Sequence, residues 1–145
     1  MAERKVEYKT LEHKADTGFL VTAPSWERLY IDAALSLTDI MVKLEHIEPK
    51  DRQTVTLSAE NRESLMVRWL NDVLFLFEQQ KFLARRIVFN QFDGKQILAT
   101  LWGEAYHPVR HGGCSEIKAV TYHQLELGDR PKPEPHFYAR IFLDL

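Results

Sequence analysis

A single cysteine, Cys114, leaves this chain no internal disulfide, and a reducing compartment is the natural setting for it. Glycine is scarce, six in 145 residues, and none falls into the patterns that cradle phosphate in ATP- or NAD-binding folds. No apolar run approaches the roughly 18 residues that a membrane-spanning helix needs. Residues Met1 to Lys5 lead into no apolar signal region, so the expected location is the cytoplasm, with no membrane partner. A basic excess is also missing. Lysine and arginine number 19 against 21 acids, a formal net charge of −2, which argues against a protein that grips nucleic acid mainly through its phosphates. Any RNA role is then expected to be indirect.

What is present is ordinary for a globular protein: 45% hydrophobic and 28% charged residues, in a length that buries a core without staples. Val6 to Glu12 and Phe19 to Ala23 read as two strands joined by the polar turn His13-Lys14-Ala15-Asp16-Thr17-Gly18, with the bend expected at Gly18. Ser25 is a good N-cap for a helix ending near Lys43, whose apolar residues Trp26, Leu29, Tyr30, Ala33, Leu37, Ile40, Met41 and Leu44 recur every three or four positions. Val55, Leu57 and Ala59 alternate with polar residues as a strand buried on one face.

A second helix is predicted from Arg62 to Gln79, capped by Asn61, with Leu65, Trp69, Leu70, Val73, Leu74, Leu76 and Phe77 as its apolar stripe. Asp93-Gly94 marks a hairpin between strands Ile87–Phe92 and Gln96–Tyr106. His107 to Ser115 reads as a loop, Ile117 to Leu127 as a long strand, and Gly128 to Pro135 as a proline-rich connection outside any sheet. His136 to Asp144 closes the pattern as a strand. The expected fold class is α+β, mainly antiparallel sheet or sheets of about seven strands packed with two amphipathic helices.

Four groupings carry possible chemistry. Asp16 is open to three readings: metal ligand, general base, or turn former bonding its own backbone. His13 beside it is as readily a surface group as a ligand. Asp144 precedes the last residue, Leu145, so two carboxylates lie close together and, if buried in a sheet, need a cation, a proton or water. His107, His111 and Cys114 have zinc-compatible spacing but no fourth ligand, and nothing in the sequence around Cys114 marks it as a nucleophile. Lys81, Arg85 and Arg86, with the aromatics Phe82, Phe89 and Phe92, suit phosphate and bases, yet the alternation around them favours a solvated strand edge and a core.

Four stretches taken together resemble the archease family: Leu11 to Gly18, Glu63 to Asp72, Ile117 to His123 and Ile141 to Leu145. The resemblance covers nearly the whole chain and implies a single archease-like domain over residues 1–145. It implies a protein cofactor that activates an RNA-splicing ligase, promoting guanylylation of the ligase by GTP and repeated turnover, with RNA met only through the ligase. It also implies a divalent-cation site whose ligands here are Asp16, Asp144 and an oxygen of Leu145, which suits calcium first, and magnesium or manganese, rather than zinc. His13, His111, Lys118 and His123 are expected to support that surface or its loops. The chain departs from the family at Lys14, where threonine is common, at Cys114, and at Leu145 in place of isoleucine. Two other classes stand beside this reading, a metal-dependent phosphoester hydrolase and a chaperone-like interaction module without metal.

Overall fold

The computed structural model describes residues 6–13, 16–131 and 136–145, and there the apolar patterns resolve into seven strands and three α-helices. Strands β1 (Tyr8–His13) and β2 (Asp16–Ala23) form an antiparallel hairpin. Helix α1 (Trp26–Met41) follows; its N-cap Ser25 accepts the Arg28 amide at 3.1 Å. The helix stops two residues short of Lys43, and Leu44 belongs to a separate 3-10 turn, Leu44–His46. After β3 (Asp51–Ser58) comes α2 (Arg62–Gln80), opened by a reciprocal cap: Asn61 Oδ1 accepts the Ser64 amide and Ser64 Oγ accepts the Asn61 amide. Strands β4 (Phe82–Phe92) and β5 (Gln96–Ala105) form the Asp93-Gly94 hairpin, Gly94 taking a positive φ of 86°.

The strands make two antiparallel sheets, β1-β2-β7-β6 and β3-β5-β4, where β6 is Ala119–Arg130 and β7 is His136–Asp144. Both long helices lie between them. Helix α1 packs on β2 and β7 of one sheet and on β4 of the other, while α2 packs on β6 and on β3, β4 and β5. The inner faces supply Phe19, Val21, Ala139, Ile141 and Leu143 from the first sheet and Val55, Leu57, Ile97, Ala99 and Leu101 from the second. The outer faces of the sheets carry no helix, and on the first of them Phe142 is nonetheless buried. No helix among the described residues is long and apolar enough to cross a membrane.

Several boundaries differ from the expectation. Strand β4 starts at Phe82 rather than Ile87, because a register shift between Ala84 and Arg86 breaks the alternation that marks a strand. The expected loop after β5 contains a one-turn helix α3 (Pro108–His111) with proline at its first position, where the missing N–H costs nothing. Strand β6 begins at Ala119 and runs to Arg130, so Gly128, Asp129 and Arg130 pair with Tyr138, Phe137 and His136; the prolines start only beyond them. Gly18 is not the bend. It lies inside β2 opposite Phe142, and a Cβ there would meet the Phe142 ring at 2.8 Å and the Ile141 carbonyl at 2.5 Å. The glycine is needed so that an aromatic ring can lie on the backbone.

Asn71 of α2 reaches the edge strand β6 with both ends of its amide: Nδ2 donates to the Val120 carbonyl at 3.0 Å and Oδ1 accepts the Val120 amide at 2.8 Å. Asn71→Ala strands both backbone groups half-buried, and it is expected to lower unfolding stability by about 1–3 kcal/mol. Denaturant unfolding and faster hydrogen exchange at the Val120 amide measure this.

Candidate functional site

Antiparallel pairing brings four strand ends to one end of the first sheet. His13 faces Asp16 across the β1–β2 hairpin, Thr17 pairs with Leu143, and Ala119 pairs with Asp144. Asp16 therefore holds the register position next beyond Thr17, alongside Asp144 at the end of β7. Lys118 is tied to the same place, its amide donating to the Asp144 carbonyl at 2.8 Å. Asp144, Lys118 and Leu145 are exposed, Leu145 at 56%. Lys14 and Ala15 lie outside the described residues.

His123 stands further along the same sheet. Between Thr121 and Glu126 the β6–β7 register shifts, with Gln124 in the left-handed region (φ 51°) and its carbonyl accepting from Arg140 Nε at 3.3 Å. The His123 amide donates to the Thr121 hydroxyl, and its ring meets the buried Phe142 ring edge-on at 6.1 Å. Phe142 is the residue that covers Gly18, so His123, Phe142 and Gly18 form a continuous stack on the outer face leading away from Asp144. Backbone register thus puts the positions of His13, Asp16, Lys118, Asp144 and Leu145 at one end of the sheet, with His123 further along β6; the side chains of His13 and Asp16 lie outside the described residues.

His111 belongs elsewhere. Its side chain is fully buried beside Glu104, near the end of β5 in the other sheet, with Nε2 3.0 Å from Glu104 Oε2. Nδ1 accepts the His107 amide at 2.8 Å, so the proton sits on Nε2 and is donated to the carboxylate. The same carboxylate accepts the Glu48 amide at 2.7 Å and the Arg110 guanidinium, and Lys50 Nζ lies 3.7 Å away. His111 fixes the loop between the two sheets. With both nitrogens engaged it is not free to bind zinc, and among the described residues no three His, Cys, Asp or Glu side chains group to hold a metal. Burial pushes the Cys114 thiol up despite nearby Lys81, which speaks against a thiolate nucleophile.

Glu104 was not singled out in the sequence, for a clear reason. Strand alternation places Ile97, Ala99, Leu101 and Gly103 inward and so assigns Glu104 to solvent; burial comes from α3 and its flanking loop. Burial raises its carboxyl, but the Glu48 amide, the His111 and Arg110 hydrogen bonds and the Arg110 charge outweigh it and bring the pKa down to about 2. The donor-rich clasp thus keeps a buried anion ionised.

Comparison with known proteins places these features in a family. Residues 8–145 match the model of the Archease protein family (MTH1598/TM1083). Protein archease of Methanosarcina mazei is 35% identical over 136 residues, spanning 88% of this chain and 90% of that protein. Protein archease of Methanosarcina acetivorans is 32% identical over 149 residues, spanning 100% of both. The solution structure of Methanobacterium thermoautotrophicum protein 1598 superposes with a TM-score of 0.77 at 28% identity, covering 95% of this chain and 98% of its own. The crystal structure of an archease from Thermotoga maritima, described as a possible chaperone, has a TM-score of 0.62 at 19% identity over 100% of both chains and shares the fold.

The clasp makes stability depend on acid pH. A carboxyl whose pKa falls from 4.5 to about 2 on folding contributes fully above 4.5, and the contribution is lost as pH drops toward 2. Denaturant midpoints recorded between pH 7 and pH 2 are expected to fall below about pH 4.5, and Glu104→Gln to flatten this part of the profile.

Proposed function

The chain belongs to the archease protein family, and we propose from that premise that it is a protein cofactor of an RNA-splicing ligase in the cytoplasm. In this role it promotes guanylylation of the ligase by GTP and repeated turnover. It is an activator and performs no bond-making step itself.

The observation that carries the reading is the meeting of the β2 start and the β7 end in adjacent register, with Lys118 tied to the Asp144 backbone. Asp144 is an exposed carboxylate next to Leu145, which offers a backbone oxygen. These are hard oxygen donors, a set that fits a calcium, magnesium or manganese ion. Asp16, Asp144 and an oxygen of Leu145 would hold the ion. Its chemistry there is charge neutralisation, which relieves repulsion between carboxylates crowded at one sheet end and fastens the last strand to the first hairpin.

The chain's own residues then shape the contact surface. Among the described residues, Lys118 brings a basic residue to the position beside Asp144, and the His123–Phe142 stack extends the surface along the outer face of the sheet. An acidic, cation-loaded edge of this kind complements the metal-bearing and basic groups of a nucleotidyl-transfer site.

Calcium or manganese at a hundred times its Kd is expected to add about 2.7 kcal/mol to unfolding stability. Asp144→Asn and Asp16→Asn should abolish that gain, which a thermal melt with and without the cation reads. The same variants, added at substoichiometric amounts to a splicing-type ligase with GTP, should leave guanylylation at the unstimulated rate. Full stimulation by both variants would overturn the reading.

A further inference from the structure

The outer face of the β3-β5-β4 sheet lies outside the core and outside the cation-site reading. Trp102 sits there in the middle strand. Its register partners are Arg52 on β3 and Arg86 on β4, and the Arg86 guanidinium carbon lies 4.8 Å from the indole centroid. Both arginines are exposed. The next row across the sheet is Thr54, Thr100 and Val88, with the Thr100 hydroxyl bonded to Asn90. Neither row carries a carboxylate, although acids outnumber lysine and arginine over the whole chain. The aromatics first suspected of stacking bases, Phe89 and Phe92, instead pack against Trp69 and Tyr30 toward the core.

An arginine laid on an indole is a preformed stacking surface. Its π-face and that of the tryptophan accept a flat base, while the in-plane N–H groups stay available for phosphate oxygens. The two arginines stand two strand spacings apart, about 10 Å, on either side of the indole. A nucleotide stacked at the centre leaves its flanking phosphates within reach of a guanidinium on each side. A duplex has no free base face to offer, so this arrangement selects single strands.

We propose that this face binds a short single-stranded nucleic acid, one base stacking on the Trp102–Arg86 pair and the adjoining phosphates pairing with Arg52 and Arg86. Binding here is led by stacking and uses few charges, which reconciles it with a net charge of −2. It is independent of the cation site, which lies on the other sheet.

The test uses the isolated full chain and a fluorescein-labelled, unstructured 12-nucleotide RNA, followed by fluorescence anisotropy. Saturable binding is expected, with a slope of log affinity against log salt of about −1.4, the value for two phosphates on a single strand. Trp102→Leu should weaken binding roughly 5- to 100-fold, the loss that one base–aromatic stack produces, while Trp102→Phe retains most of it. Arg52→Gln with Arg86→Gln, both on exposed residues, should flatten the salt slope; this pair carries the test if Trp102→Leu fails to fold in a thermal melt. Three results would overturn the proposal: no anisotropy change at a hundredfold excess of protein, equal affinity for the RNA annealed to its complement, or sedimentation showing self-association through this face, which would assign it to a second copy of the chain.

Discussion

A helix without a solvent-facing side has to be enclosed on every side, and α1 imposes that demand on this fold. Every residue from Leu29 to Thr38 is buried, including Asp32, Ser36 and Thr38. The two hydroxyls are satisfied within the helix, Ser36 donating to the Asp32 carbonyl and Thr38 to the Ala34 carbonyl. One sheet cannot cover such a cylinder, so a second sheet closes the other side and α2 fills the layer between. Trp69 donates its indole N–H to the Tyr30 carbonyl, and the Tyr30 hydroxyl donates to the Arg62 carbonyl, so the two helices are pinned together by polar groups inside the apolar layer. With the inner face of each sheet committed to the helices, anything the protein recognises has to meet an outer face, a strand end or a loop.

The arrangement explains which parts of the structure were legible in advance. Helix α2 was readable almost to its last residue, because its cap and stripe are local signals and its exposed residues, Phe75 apart, are polar. Alternation in β3 gave its inward residues Val55 and Leu57 correctly. The shifts in β4 and β6 were hidden, since a bulge moves side chains between faces while leaving a sequence that still resembles a strand. Gly18 was noticed for its conformational freedom, yet its place is set by a ring from a strand more than a hundred residues later.

The candidate site divides the same way. Asp16 and Asp144 stood out in the sequence as carboxylates near the two ends of the chain, and the β2–β7 pairing is the long-range fact that makes them neighbours. Glu104 and Trp102 were silent for a common reason. Each owes its significance to residues on other segments, Glu104 to the Glu48 amide, Arg110 and His111, and Trp102 to arginines on the strands either side of it. Pattern along the chain records what a residue is, whereas a site is made of what comes to stand beside it.

The Asn71 amide on Val120 has a consequence for how this protein keeps its own company. An edge strand with free amides and carbonyls recruits other strands, from a second copy of the chain or from unfolded protein. At Val120 the side chain of a buried helix supplies the donor and acceptor that a fifth strand would bring, so the sheet is terminated at that residue without a further strand. A newcomer pairing there would first have to displace part of α2 from the middle layer. The exposed sheet face can then remain open for recognition while the edge beside it is closed at Val120.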